Sequence, residues 1–154
     1  MPLNNPRPGP NYVPEYQVSG IPFVTKSIGH EVQDSPIKLE FPHVTQWVVI
    51  RNLANSGSDM RVGFTSNGVQ GGGGISGSYS AGDAEGPQTN AQSRNYFIVP
   101  GNTQTPRMHL RMKDLYFIRD GSANSTFTVI AGLTTVHREL FPVLTGSDGF
   151  EGVG

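Results

Sequence analysis

Four histidines, His30, His43, His109 and His137, are the residues of this chain best suited to chemistry. Imidazole can act as a general base or as a metal ligand near neutral pH. Both roles need partners at fixed spacing, and no HxH or HExxH pair occurs. His30 precedes Glu31, and His137 precedes Arg138-Glu139, so both read as solvated loop groups. His109 falls on the polar side of an alternating segment. A metal would need histidines gathered from distant strands, and none is expected. Gly74-Ile75-Ser76-Gly77 approaches a Gly-x-Ser-x-Gly nucleophile motif, but it lies in low-complexity sequence and not at a strand-to-helix elbow. The GGGG run from Gly71 to Gly74 lacks the Gly-Lys-Ser/Thr and the following helix of a phosphate cradle. The 12 acids are scattered, mostly in loops, so no paired carboxylates for glycoside chemistry stand out. The expectation is a protein without catalytic residues or cofactor, and not an enzyme.

Binding chemistry has more material. Arg107, Arg111 and Lys113 lie on or beside one segment, with His109 sharing the face of Arg111 and Lys113. No aromatic residues interleave, and Asp114 and Asp120 follow, so a solvated face or interface salt bridges is preferred to a nucleic-acid stripe. Trp47, Tyr79, Tyr96 and Tyr116 are candidate stacking platforms for sugars, although Trp47 opens a solid apolar run and is expected in the core. Asn124-Ser125-Thr126 forms a glycosylation sequon that chance alone would supply.

The elements that must position these residues are strands. Ile37-Leu39-Phe41 alternates with Lys38 and Glu40, giving one buried and one wet face. Trp47-Val48-Val49-Ile50 is continuous, as in a strand covered on both sides. Met60-Val62-Phe64 alternates, and Tyr96-Phe97-Ile98-Val99 is a solid run stopped by Pro100-Gly101. Met108-Leu110-Met112 alternates, then Leu115 and Phe117 shift phase by one residue. Such a slip within one long strand marks a bulge or a bend from sheet to sheet. The last core strand runs from Phe127 to Leu133, and Thr134 to Leu140 offers at most one helical turn. Turn signals at Asn55-Ser56-Gly57, Asn67-Gly68, Pro100-Gly101-Asn102 and Asp120-Gly121 separate the runs. No helical periodicity is evident.

A length of 154 residues implies one domain, and Gly (20) and Pro (12) together exceed a fifth of it, which favours turns and extended chain. A net charge of −1 argues against a general nucleic-acid binder. No apolar run reaches the roughly 20 residues of a membrane helix, so no stable membrane insertion is expected. The absence of Cys excludes a disulfide framework and fits synthesis in a reducing cytoplasm. Residues 1–15 hold five prolines and read as an extended arm. Residues 16–140 read as an all-β domain of about eight antiparallel strands, in which 68–92 is a Gly/Ser-rich surface loop. Residues 141–154 read as a second extended arm, with Gly at 146, 149, 152 and 154. Tyr12, Tyr16, Phe141, Phe150 and Val153 are its and the first arm's candidate anchors on a neighbouring subunit.

YQVSGIPFVT (16–25), FPHVTQWVVIRNL (41–53), RVGFTSNG (61–68), NYFIVP (95–100), TFTVIAGLT (126–134) and LFPVLTGSDGFEGVG (140–154) occur in this order. Together they resemble the penton, or minor single-jelly-roll capsid, proteins of large icosahedral double-stranded DNA viruses. The resemblance implies a single jelly-roll sandwich and a homopentamer closing each five-fold vertex of the capsid. It implies the virion as location, and the neighbouring major and minor capsid proteins as partners. It carries over no catalytic residues and has no counterpart for the Gly-rich loop. Two rival expectations are a carbohydrate- or receptor-binding β-sandwich, such as a spike head or lectin-like module, and a metal-dependent cupin-type barrel.

Overall fold

The computed structural model describes residues 20–27, 35–70, 95–121 and 123–143. Tyr12, Tyr16, Phe150 and Val153 lie outside these residues, as do His30, Ser76, Tyr79 and the GGGG run. Among the described residues there are seven strands: β1 (Ile21–Lys26), β2 (Ile37–Glu40), β3 (His43–Asn52), β4 (Asp59–Gly63), β5 (Tyr96–Val99), β6 (Asp114–Asp120) and β7 (Phe127–His137). A one-turn helix, α1 (Ser66–Gln70), follows β4, and a 3-10 turn (Arg138–Leu140) follows β7.

The strands form two antiparallel sheets, ordered β1-β7-β3 and β2-β6-β4-β5. The fold is therefore all-β. Residues 103–112 run beside the free edge of β3. Val48 and Met108 exchange both backbone hydrogen bonds at 2.9 Å, Thr105 N donates to Ile50 O at 2.8 Å, and Asn52 N donates to Thr103 O at 2.9 Å. With this segment counted, the pairings are nested. β1 meets β7, β2 meets β6, β3 meets 103–112, and β4 meets β5.

Alternation explains which side chains meet between the sheets. Met60 and Val62 of β4, Leu115 and Phe117 of β6, Val48 and Ile50 of β3, and Val129 and Ala131 of β7 are fully buried. The Phe117 ring stacks on Phe127 with centroids 4.0 Å apart, joining one sheet to the other. Buried polar groups sit where the backbone leaves the ladder. Asn52 Nδ2 donates to Ser58 O (2.8 Å) and Val99 O (3.0 Å), while its Oδ1 accepts from Ala54 N (3.0 Å). Thr45 lies in a register shift of β3. Its hydroxyl donates to Leu110 O at 2.7 Å and accepts from Met112 N at 3.0 Å. Among the described residues no buried side-chain polar atom lacks a partner, as the cost of an orphaned buried group demands.

The turn signals fall between strands, and Gly57 (φ 90°) and Gly121 (φ 100°) adopt the left-handed backbone that glycine accepts without strain.

Four expectations need correction. The long strand from Met108 to Phe117 is two pieces. Residues 103–112 follow β3 without forming a regular strand, and β6 begins at Asp114 in the opposite sheet. The phase slip is thus a sheet-to-sheet crossing. Thr134–His137 continue β7, because β3 pairs with β7 as far as His43↔His137; only Arg138–Leu140 turn. The Asn67-Gly68 signal falls inside α1, where the Thr65 hydroxyl accepts from Gly68 N at 2.9 Å. Finally, β3 is not covered equally on both faces. Val48 and Ile50 are buried, whereas Trp47 and Val49 point outward and are half-buried.

Candidate functional site

Strand register places a row of apolar side chains on the outer face of the β1-β7-β3 sheet. Val24 of β1, Ile130 of β7 and Val49 of β3 are cross-strand neighbours. Val24 is 66% exposed and Ile130 44% exposed. The next rank outward in one direction is Lys26, Thr128 and Arg51; in the other it is Pro22, Gly132 and Trp47. The three strands contribute Lys26 and Arg51 and no Asp or Glu. Among the described residues neither cation has an ion-pair partner. The face is apolar at its centre and carries cations at both ends, Lys26 and Arg51 at one and Arg107, on Trp47, at the other.

Trp47 closes the other end. A Cβ at Gly132 would run into its indole, so Gly132 is what lets the ring lie down on the sheet. The Arg107 guanidinium stands 4.4 Å from the ring centroid, a cation–π contact. Trp47 is therefore an outer-face residue and not the core residue its sequence context predicts.

The outer face of β2-β6-β4-β5 is charged and internally satisfied. Arg138, just past β7, reaches across to Glu40 Oε1 (3.1 Å) and Asp114 Oδ1 (3.0 Å), and Lys38 Nζ meets Glu40 at 2.6 Å. The hydrogen bond from Lys38 holds the Glu40 carboxyl below its ordinary value, and the same bond raises Lys38. Arg61 Nε binds Asp120 at 2.7 Å, and its guanidinium lies 4.8 Å from the Tyr96 centroid. Glu40 and Asp114, opposite each other in register, are the paired carboxylates the sequence did not disclose. Both are committed to cations and to holding the chain's exit from β7.

The histidines divide. His43 and His137 pair across β3 and β7, edge to face at 5.6 Å, with Glu139 3.8 Å from His137 Nδ1. Only the register of β3 on β7 brings them together; they are 94 positions apart in the chain. His137 ends a strand and is not a loop residue. His109 is exposed on the 103–112 segment. Among the described residues no group of three or more His, Asp or Glu is placed to hold a metal ion.

Of the basic group, Arg107 lies on Trp47, Arg111 is exposed, and Lys113 Nζ donates to Phe141 O at 3.1 Å. They do not form one stripe. Phe141 is half-buried at the end of the 3-10 turn, its backbone N donating to Arg138 O at 3.2 Å. Of the candidate sugar platforms, Trp47 and Tyr96 carry guanidinium groups, and Tyr116 is half-buried beside Lys38 in register. In the sequon, Asn124 is exposed, while Ser125 is fully buried and donates to Ser58 O at 2.9 Å. No protein-family model, curated protein or solved structure matches this chain.

Proposed function

We propose that this protein is a structural capsid subunit, a single jelly roll that forms a homopentameric penton at the five-fold vertices of an icosahedral particle. The observation that supports it most is the nested pairing. A jelly roll is one long antiparallel hairpin wrapped into two sheets, so that its first strand lies beside its last and the hairpin tip pairs with itself. Counting 103–112 as the sixth member, the layers read 1-8-3-6 and 2-7-4-5, an order that supports such a winding. The sequence stretches that resemble penton proteins supply β1, β3, β4, β5 and β7 of this winding.

A ring at a vertex is built from heterologous contacts, each copy offering one surface to the next. The outer face of β1-β7-β3 suits such a contact, because exposed Val24 and Ile130 gain by leaving water. A glycan-binding module is the rival. It would need free aromatic faces, and the rings of Trp47 and Tyr96 already carry arginines.

Native mass spectrometry of the purified full chain tests the reading. A closed ring of five copies supports it. A monomer that persists at high concentration, or a protein found in particles far in excess of their vertices, counts against it.

A further inference from the structure

The exposed β1-β7-β3 face has a chemistry that one segment of this same chain complements. Residues 144–154, LTGSDGFEGVG, lie outside the described residues; their sequence holds two acids, Asp148 and Glu151, and no Lys or Arg. The strands of the face hold two cations without ion-pair partners among the described residues and no acid, and Arg107 adds a third positive charge over Trp47. Spacing matches as well as sign. Lys26 and Arg51 stand two residues along their strands from Val24 and Val49. Asp148 stands two residues from Phe150. In extended chain residues i and i+2 project to the same side, about 7 Å apart. Bound in extended form, a stretch with this spacing would offer a carboxylate and a phenyl ring at the separation at which the face offers cations and an apolar row.

The exit of the chain argues for a neighbour as host. After β7, Arg138 is tied to Glu40 and Asp114 on the outer side of the β2-β6-β4-β5 sheet, and Lys113 holds Phe141 O. As far as Phe141 the chain therefore lies against the opposite layer. To reach its own β1-β7-β3 face it would have to turn round the end of the sandwich. A second copy can present that face directly.

From these matches we infer that residues 144–154 of one copy dock on the outer β1-β7-β3 face of the next. Phe150 covers Val24, Val49 and Ile130, and Asp148 pairs with Lys26 and Arg51. This deepens the assembly reading and rests on it.

The chain has no Cys, so introduced thiols report alone. Gly149→Cys is placed in one population of full-length chain and Ile130→Cys in another. Ile98→Cys on β5 is the control, since Ile98 is 46% exposed and Ile130 44%. Docking raises the effective concentration of the thiols, so the Gly149→Cys/Ile130→Cys disulfide should form about tenfold faster than the Gly149→Cys/Ile98→Cys one. Lys26→Glu with Arg51→Glu should slow it several-fold, roughly the effect of two exposed ion pairs, and Asp148→Lys should recover part of the loss. Equal rates to both positions, with an intact oligomer by native mass, overturn the inference and leave the assembly reading standing. A monomer by native mass overturns both. A disulfide that forms within dilute single chains carrying Gly149→Cys and Ile130→Cys overturns the assignment to a neighbour.

Discussion

The two outer faces of the sandwich differ more than the two inner ones. Strands β2, β6, β4 and β5 carry Glu40, Asp59, Asp114 and Asp120 against Lys38, Arg61 and Arg119. Each of these has a partner: Asp59 accepts from Gly101 N at 3.1 Å, and Arg119 binds Asn124 at 3.3 Å. Strands β1, β7 and β3 carry Lys26 and Arg51, which have no ion-pair partner among the described residues, around exposed valine and isoleucine. A face whose charges are already paired gains little from a partner. That face also exposes Ile98, but a contiguous row of exposed apolar groups across three strands gains more from contact that excludes water. The asymmetry separates a finished surface from one suited to further contact.

The largest effect comes from the core that both faces share. Phe117→Ala removes a fully buried ring stacked on Phe127 and should cost about 3–5 kcal/mol in urea unfolding, weakening both sheets together. Gly132→Ala strikes only the first face. The added methyl displaces Trp47 and should cost about 1–3 kcal/mol. Because Trp47 is the single tryptophan, its fluorescence should shift as well; an unchanged spectrum would refute the packing described.

Arg138→Ala strikes the second face. It releases Asp114, which is 14% exposed at its side chain, and should cost about 1 kcal/mol or less. The same network sets a pH window. The Glu40 pKa is depressed, so its contribution is present above the usual 4.5 and lost as pH falls through the lower folded value. The Lys38 pKa is raised, so its contribution is full below 10.5 and lost as pH rises through the higher folded value. Urea midpoints taken across pH should fall at both ends, and Lys38→Ala should flatten both limbs. The smallest effect on folding belongs to the exposed row. Ile130→Thr should change monomer stability by about 0.5 kcal/mol or less while lowering the fraction of the proposed oligomer seen by native mass.

Strand positions were legible because alternation is a local property. Lys38 and Glu40 out with Ile37 and Leu39 in, or Met60 and Val62 in with Arg61 out, follow from the two-residue repeat alone. The slip between Met112 and Leu115 was legible as a break, and the structure makes it the crossing from β3's edge into the other sheet. The outward position of Trp47 is not legible in the sequence, because an unbroken apolar run does not say which members point out. What it rests on is Gly132, 85 positions away. The His43–His137 pair and the Glu40–Arg138–Asp114 cluster were invisible for the same reason, since each joins residues from distant strands.

By itself the sequence determined that the chain is all-β, where most strands lie, and that glycine and asparagine turn it. These depend on side-chain period and backbone sterics, which act within a few residues. Only the tertiary structure decided which strands share a sheet, which histidines and carboxylates meet, and which outer face is left apolar. Those follow from pairing between segments up to about 110 residues apart, such as Ile21 with Leu133, and no local rule specifies such partners.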